Sequence, residues 1–134
     1  MNLTTNSVNF NGKQEIFYGL KMAAKEAKNI NVAMTYSAGP RGVNRCNDMA
    51  HANGAMKAYI DMVMNDKYIN QGIRYASEDK DLVNFLKDTL SIQTVNNVTI
   101  DPLETFAHNL TKASQNQTDY FKKMLAKLID TIKM

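Results

Sequence analysis

Residues 46–68 constrain the fold most, because apolar side chains there occupy almost every direction around a predicted helix. Only a narrow stripe is polar, with members spaced four residues apart: Asn53, Lys57, Asp61 and Asn65. The apolar positions are Met49, Ala50, Ala52, Ala55, Met56, Ala58, Tyr59, Ile60, Met62, Val63 and Met64. A helix that is apolar on most sides has to be covered on most sides. The sequence therefore predicts a central helix at 46–68, with other helices packed around it.

Amphipathic patterns on both sides of this segment predict the helices that cover it. The first begins near Gly12, and its apolar stripe is Ile16, Leu20, Ala23, Ala24 and Ala27. A short helix is predicted over 66–75, followed by one that Ser77 caps and that ends near Leu90. The result is an all-α fold, a compact single-domain bundle of four to five helices over residues 12–134. A flexible N-terminal arm, residues 1–11, precedes it.

The clearest helix start is the sequence "DPLE" at 101–104. Asp101 is predicted to cap the helix, Pro102 to take its first position and Glu104 to complete a capping box. Its predicted buried stripe is Leu103, Phe106, Ala107 and Leu110. Thr118 is the predicted cap of a last helix, whose inward positions are Phe121, Met124, Leu125, Leu128, Ile129 and Ile132.

Two segments favour extended structure. Residues 32–36 have the composition of a short strand, although no pairing partner is evident nearby. The segment "SIQTVNNVTI" at 91–100 is β-prone at both ends, with Asn96 and Asn97 between them. A minor short hairpin is one interpretation of it. An extended connector is favoured, because an isolated two-stranded hairpin is only marginally stable.

Length and composition indicate one globular domain in a reducing compartment. The chain has 134 residues, of which 44% are hydrophobic and 22% charged. A single cysteine, Cys46, cannot form an internal disulfide. No apolar run approaches the roughly 20 residues that span a bilayer, and the N-terminal residues lack the pattern of a secretory signal. We therefore expect a cytoplasmic protein without a membrane partner.

The stretch from Tyr36 to His51 concentrates the residues that could carry chemistry. Cys46 at a helix start near Arg41 and Arg45 lies where a thiolate is stabilised. His51 is about 140° further round that helix and cannot act as its base locally. A small enzyme based on Cys46 and His51 is accordingly the third functional hypothesis, and a buried, inert cysteine is favoured over it. No catalytic residue is assigned.

A metal site is also weighed and set aside. Asp48 with His51, and Glu104 with His108, each place a carboxylate and an imidazole one helical turn apart. Helical bundles build metal sites from such pairs. However, His108 is predicted to face water while His51 faces apolar neighbours, so the two pairs are not expected to meet. We expect no metal and no cofactor.

The loop at residues 35–45 is the predicted contact surface. Its sequence "AGPRG" contains glycines and an arginine before a helix start, which favour anions, but it lacks the lysine and hydroxyl residue of a phosphate-binding P-loop. Arg41, Arg45 and Tyr36 are the candidate binding residues. The leading hypothesis is a non-enzymatic protein-interaction or regulatory module with an unknown protein partner. The sequence is also compatible with a homo-oligomer.

Charge is unevenly distributed along the chain, which supports an alternative function. Residues 1–45 carry a net charge of +4 and residues 105–134 a net +3, whereas 77–104 carry −4. If the first and last helices lay side by side, their lysines would form one basic surface able to bind nucleic acid. These are Lys21, Lys25, Lys28, Lys122, Lys123 and Lys127. Against this, arginine is scarce, no exposed aromatic residue is interleaved with the lysines, and no helix-turn-helix pattern is present.

Overall fold

A computed structural model describes residues 13–35 and 69–134 of the chain. This part contains five α-helices and one β-hairpin, in the order α1 Lys13–Thr35, α2 Ile69–Ala76, α3 Lys80–Thr89, β1 Gln93–Val95, β2 Val98–Ile100, α4 Pro102–Ala113 and α5 Asp119–Lys133. The predicted all-α domain with a minor hairpin is therefore confirmed. The predicted central helix at 46–68 and the arm at 1–11 lie outside the described residues.

Helix α1 is longer than the sequence predicts. Its apolar stripe is confirmed, since Ile16, Leu20 and the three predicted alanines are all buried. The predicted strand at 32–36 is wrong over residues 32–35, which continue the helix. The side chain of Asn31 explains part of this: its amide donates to the Ala27 carbonyl one turn back and to Thr105 of α4. Tertiary packing thus overrides the local β-propensity of this segment.

Helix α2 is described from Ile69 to Ala76, and residues 66–68 of the predicted 66–75 segment lie outside the described residues. The cap of α3 lies two residues beyond the predicted one. Asp79, not Ser77, is the N-cap, and its Oδ1 accepts a hydrogen bond of 2.8 Å from the Leu82 amide. Ser77 and Glu78 form a turn, in which the Glu78 amide donates to the Tyr75 carbonyl. The end of α3 is as predicted, with Leu90 at its C-cap.

The segment 91–100 forms the hairpin, so the favoured prediction of an extended connector is wrong. The two strands are antiparallel, with Val95 opposite Val98 and Gln93 opposite Ile100. Asn96 and Asn97 have φ values of 52° and 65°, the left-handed conformation that a two-residue type I′ turn requires. Strand β2 also contacts α1, and Ile100 is buried. The hairpin is therefore stabilised by the domain rather than standing alone.

Helices α4 and α5 start where the sequence predicts. Asp101 is the N-cap residue of α4 and Pro102 lies in its first turn, but the Asp101 side chain makes no capping hydrogen bond. Thr118 caps α5 as predicted, with its hydroxyl oxygen accepting from the Phe121 amide at 3.1 Å. The buried face of α4 includes two polar residues that the apolar stripe does not reveal, Thr105 and Asn109.

The described core is a single hydrophobic cluster to which all five helices contribute. Helix α1 packs chiefly on α2 and α4 and also on α3, whereas α5 packs chiefly on α2 and α3. The largest fully buried side chains include Phe106 of α4 and Phe121 of α5. Among the described helices, none combines the length and apolar character required to cross a lipid bilayer. Helices α4 and α5 contact each other only sparingly, which leaves space between them.

Candidate functional site

An open groove of about 430 Å³ lies between α4 and α5, and we call it the α4/α5 groove. Its deepest lining comes from three buried residues, Ser114, Leu125 and Ile129. The remaining lining residues are exposed or half-buried: Ala107, Thr111, Gln115, Lys122, Ala126, Asp130 and Lys133. The groove therefore has an apolar floor and a partly charged rim.

The sequence explains why the two helices leave this space. Ala107 and Ala126 line the groove, and their methyl groups are too short to fill the gap between the helices. The larger side chains of α5 at Phe121 and Leu128 are fully buried and contribute to the main core instead. The hydroxyl of Ser114 donates to the Thr111 carbonyl, so it adds little polarity to the groove floor. The result is an apolar depression on the surface.

Cations predominate on the rim of the groove. Lys122 and Lys133 of α5 are exposed there, together with one carboxylate, that of Asp130. Adjoining the groove along α4, a second open depression of about 440 Å³ shares Ala107, Thr111 and Gln115 with it and adds Lys112 and His108. The predicted exposure of His108 is confirmed. Because two lysines and one carboxylate lie on the rim of the groove, a ligand with an apolar face and acidic or polar flanks would suit the groove better than a basic ligand.

A second surface joins α1, α2 and α3 through contacts between cations and aromatic rings. The ammonium groups of Lys21 and Lys25 lie 5.4 and 5.6 Å from the centre of the Phe85 ring. These are cation–π distances. The sequence shows no exposed aromatic residue interleaved with the lysines, and it is the half-buried ring of Phe85 that helix α3 brings to them from about 60 residues away.

The same arrangement recurs at the start of α1. The Lys13 ammonium lies 5.6 Å from the Phe17 ring centre and 5.8 Å from that of Tyr75. The Arg74 guanidinium lies 5.4 Å from the Tyr75 ring centre. Tyr75 is 40% exposed, so this cluster lies at the surface of the protein. We call these residues with Lys21, Lys25 and Phe85 the cation–ring surface.

The structure places only part of the predicted binding set. Tyr36, Arg41 and Arg45 lie outside the described residues, as do Cys46 and His51. Lys122 lines the α4/α5 groove, whereas Lys123 and Lys127 are exposed on α5 without lining it. Lys28 is half-buried on α1.

The two predicted lysine sets lie on α1 and α5, which are not principal packing partners of each other. Helix α1 packs mainly on α2 and α4, and α5 packs mainly on α2 and α3. The side-by-side packing of the first and last helices, on which the joint basic surface depends, is therefore not among the principal contacts. Lys21 and Lys25 lie against α3 instead, where Phe85 is their neighbour.

Neither surface has the composition of a metal centre. Among residues 13–35 and 69–134, no three His, Cys, Asp or Glu side chains are grouped closely enough to hold a metal ion. Sequence reasoning did not identify the α4/α5 groove. Its only local signal is the pair of small residues Ala107 and Ala126 on consecutive helices, and a small residue does not show which side chains lie opposite it.

A scan against protein-family models, a search of curated proteins and a search of solved structures each found no match to this chain.

Proposed function

We propose that the protein is a non-enzymatic interaction module that binds a protein partner in the α4/α5 groove. The observation that carries the proposal is the groove itself, whose floor of Leu125 and Ile129 is apolar and almost wholly buried, beside the exposed cations Lys122 and Lys133. A depression with an apolar floor and a polar rim is typical of a contact site. The lone Cys46 favours a cytoplasmic location for this module.

The shape of the groove favours a protein over a small molecule as its ligand. Pockets for small molecules bury most of the ligand surface and direct a few polar groups at it. The α4/α5 groove is only partly enclosed, and the buried polar group among its described lining residues, the Ser114 hydroxyl, already donates to a helix carbonyl. A partner segment lying along the groove would cover its apolar floor more completely than a compact ligand.

Site-specific photo-crosslinking in cells of the source organism tests the proposal. A photoreactive amino acid at position 126, on the groove, is compared with one at position 123, which is exposed on the same helix but outside the groove. We expect a discrete cross-linked protein at 126 that is absent at 123. Equal labelling at both positions, or no product at 126, would reject the groove as the contact surface.

The loop at 35–45 stays a separate predicted contact surface of this module, through Tyr36, Arg41 and Arg45. Replacing both arginines with glutamine is expected to weaken partner capture if the loop contributes. Thiol labelling of the folded protein tests the enzymatic alternative, because a Cys46 that stays inert provides no nucleophile. Turnover that depends on Cys46 or His51 would contradict the non-enzymatic proposal.

The cation–ring surface supports nucleic-acid binding as a second candidate function. Single-stranded nucleic acids bind where basic side chains track the backbone and aromatic rings stack on bases. Tyr75, flanked by Lys13 and Arg74, and Phe85, flanked by Lys21 and Lys25, combine both groups. Three acidic residues of α3 or its cap, Asp79, Asp81 and Asp88, oppose this candidate by repelling phosphate.

Fluorescence anisotropy with a labelled single-stranded oligonucleotide distinguishes this candidate. If it is right, affinity falls steeply as salt rises, and the double variant Lys21→Gln, Lys25→Gln makes that dependence shallower. The matched control is Lys123→Gln, Lys127→Gln on α5. Equal losses in both double variants would indicate a general charge effect and not this surface.

A further inference from the structure

We propose that the ligand of the α4/α5 groove is an amphipathic helix of the partner protein, with aliphatic anchors on one face and acidic residues beside them. This inference rests on the proposed function and specifies the chemistry of the partner. It follows from the length of the groove, the size of its wall residues and the charge on its rim.

Groove length matches a short helix. The lining residues of α5 run from Lys122 to Lys133, which at the rise of an α-helix is about 16 Å or three turns. A helix bound in such a groove inserts side chains spaced three, four and seven residues apart. Three turns provide two or three such anchors, and the volume of about 430 Å³ is on that scale.

The walls allow a second backbone to approach closely. Ala107 on α4 and Ala126 on α5 project only methyl groups, and Thr111 is also small. Leu125 and Ile129 supply the apolar floor that aliphatic anchors would contact.

Rim charge specifies the flanks of the partner helix. Two lysines, Lys122 and Lys133, and one carboxylate, Asp130, line the groove, and Lys112 lies in the adjoining depression. The balance favours glutamate or aspartate beside the anchors. A nucleic acid fits less well, because no aromatic ring is present among the described lining residues for bases to stack on.

Binding of a designed peptide to the full chain tests the inference. The probe is a fluorescent peptide of about 18 residues, long enough to form a helix in isolation, with leucines at the anchor spacing and glutamates beside them. Its comparators replace every glutamate with lysine, or scramble the leucines. We expect saturable binding of the acidic peptide, about tenfold weaker binding of the lysine version and none of the scrambled one.

Variants of the protein locate the binding. Ala126→Arg and Thr111→Arg change exposed positions on opposite walls, and each is expected to abolish binding while circular dichroism shows unchanged helix content. The double variant Lys122→Glu, Lys133→Glu should weaken binding about tenfold or more, because it replaces two exposed attractive charge pairs with repulsive ones. Lys123→Glu, Lys127→Glu is the control of equal charge change and should bind normally.

Each other outcome overturns the inference. Failure of the acidic peptide to bind, or unchanged binding by both arginine variants, would exclude an acidic helix in this groove. Competition by an oligonucleotide would assign the groove to nucleic acid, and self-association that Ala126→Arg removes would assign it to a second copy of this chain. A cross-link at position 126 to a partner without an acidic helix would retain the proposed function and reject this chemistry.

Discussion

The side-chain amide of Asn31 in α1 donates a 2.9 Å hydrogen bond to the hydroxyl oxygen of Thr105 in α4. Both residues are buried, with 5% and 3% of their surfaces exposed, and the same amide also donates to the Ala27 carbonyl at 2.7 Å. A polar pair in this position fixes how the two helices face each other, because any other register would leave buried polar groups without partners.

Replacing Asn31 with alanine is expected to lower the free energy of unfolding by about 1–3 kcal/mol, because the buried Thr105 hydroxyl loses its donor. Urea denaturation measures the change. Asn29→Ala on the exposed side of α1 is the matched control and should change it by less than about 0.5 kcal/mol. The double variant Asn31→Leu, Thr105→Val should lose less free energy of unfolding than the sum of the losses in Asn31→Leu and Thr105→Val alone. An additive result would show that the pair does not interact.

Helix caps provide a second prediction, in the form of a rank order. Thr118→Ala and Asp79→Ala each remove a side-chain acceptor of a helix amide and should each cost about 1 kcal/mol. Asp101→Ala should cost less than half as much, because the Asp101 side chain makes no capping bond and its Oδ1 is buried without a hydrogen-bond partner. Thermal or urea denaturation of the three variants tests the order, which a larger loss for Asp101→Ala would contradict.

The hairpin turn gives a third prediction. Asn97 has a φ of 65°, a conformation that glycine adopts freely and that costs alanine roughly 1–2 kcal/mol. Asn97→Gly should therefore preserve or slightly increase stability, whereas Asn97→Ala should decrease it by about 1 kcal/mol. Thr94→Ala and Thr94→Gly are the matched control at an exposed position of strand β1, where glycine should lower the stability more than alanine does. The same order at both positions would exclude a type I′ turn.

Sequence periodicity predicted the elements whose stability is local and whose apolar faces are continuous. The buried stripe of α1 from Ile16 to Ala27 and the Thr118 cap of α5 are examples. It failed where long-range contacts decide the conformation. Residues 32–35 are β-prone by composition, but the helix that precedes them continues, and Asn31 joins it to Thr105, 74 residues away.

Candidate surfaces were less predictable than helices, again for physical reasons. The ring of Phe85 approaches Lys21 and Lys25 only because α3 packs on α1, and neither residue type signals the other along the chain. The α4/α5 groove depends on the spacing of two helices, which the alanines at 107 and 126 permit but do not determine. The N-cap of α3 is also undecided by residue type alone. Ser77 and Asp79 are both suitable caps, and the structure shows that Asp79 is the one used.

The contact between Lys25 and Phe85 provides the last prediction. Lys25 is exposed and its ammonium lies 5.6 Å from the ring centre, a geometry in which a cation–π interaction contributes about 0.5–1 kcal/mol. A double-mutant cycle with Lys25→Met and Phe85→Leu should give a coupling energy of that size, because methionine keeps the apolar stem and leucine keeps most of the burial. Lys80→Met, on an exposed lysine at the start of α3 for which the structure describes no ring contact, is the control and should show no coupling to Phe85→Leu. A coupling energy near zero for Lys25 would mean that its position over the ring reflects the packing of the lysine stem alone, and Lys25 would then be free to contact a phosphate.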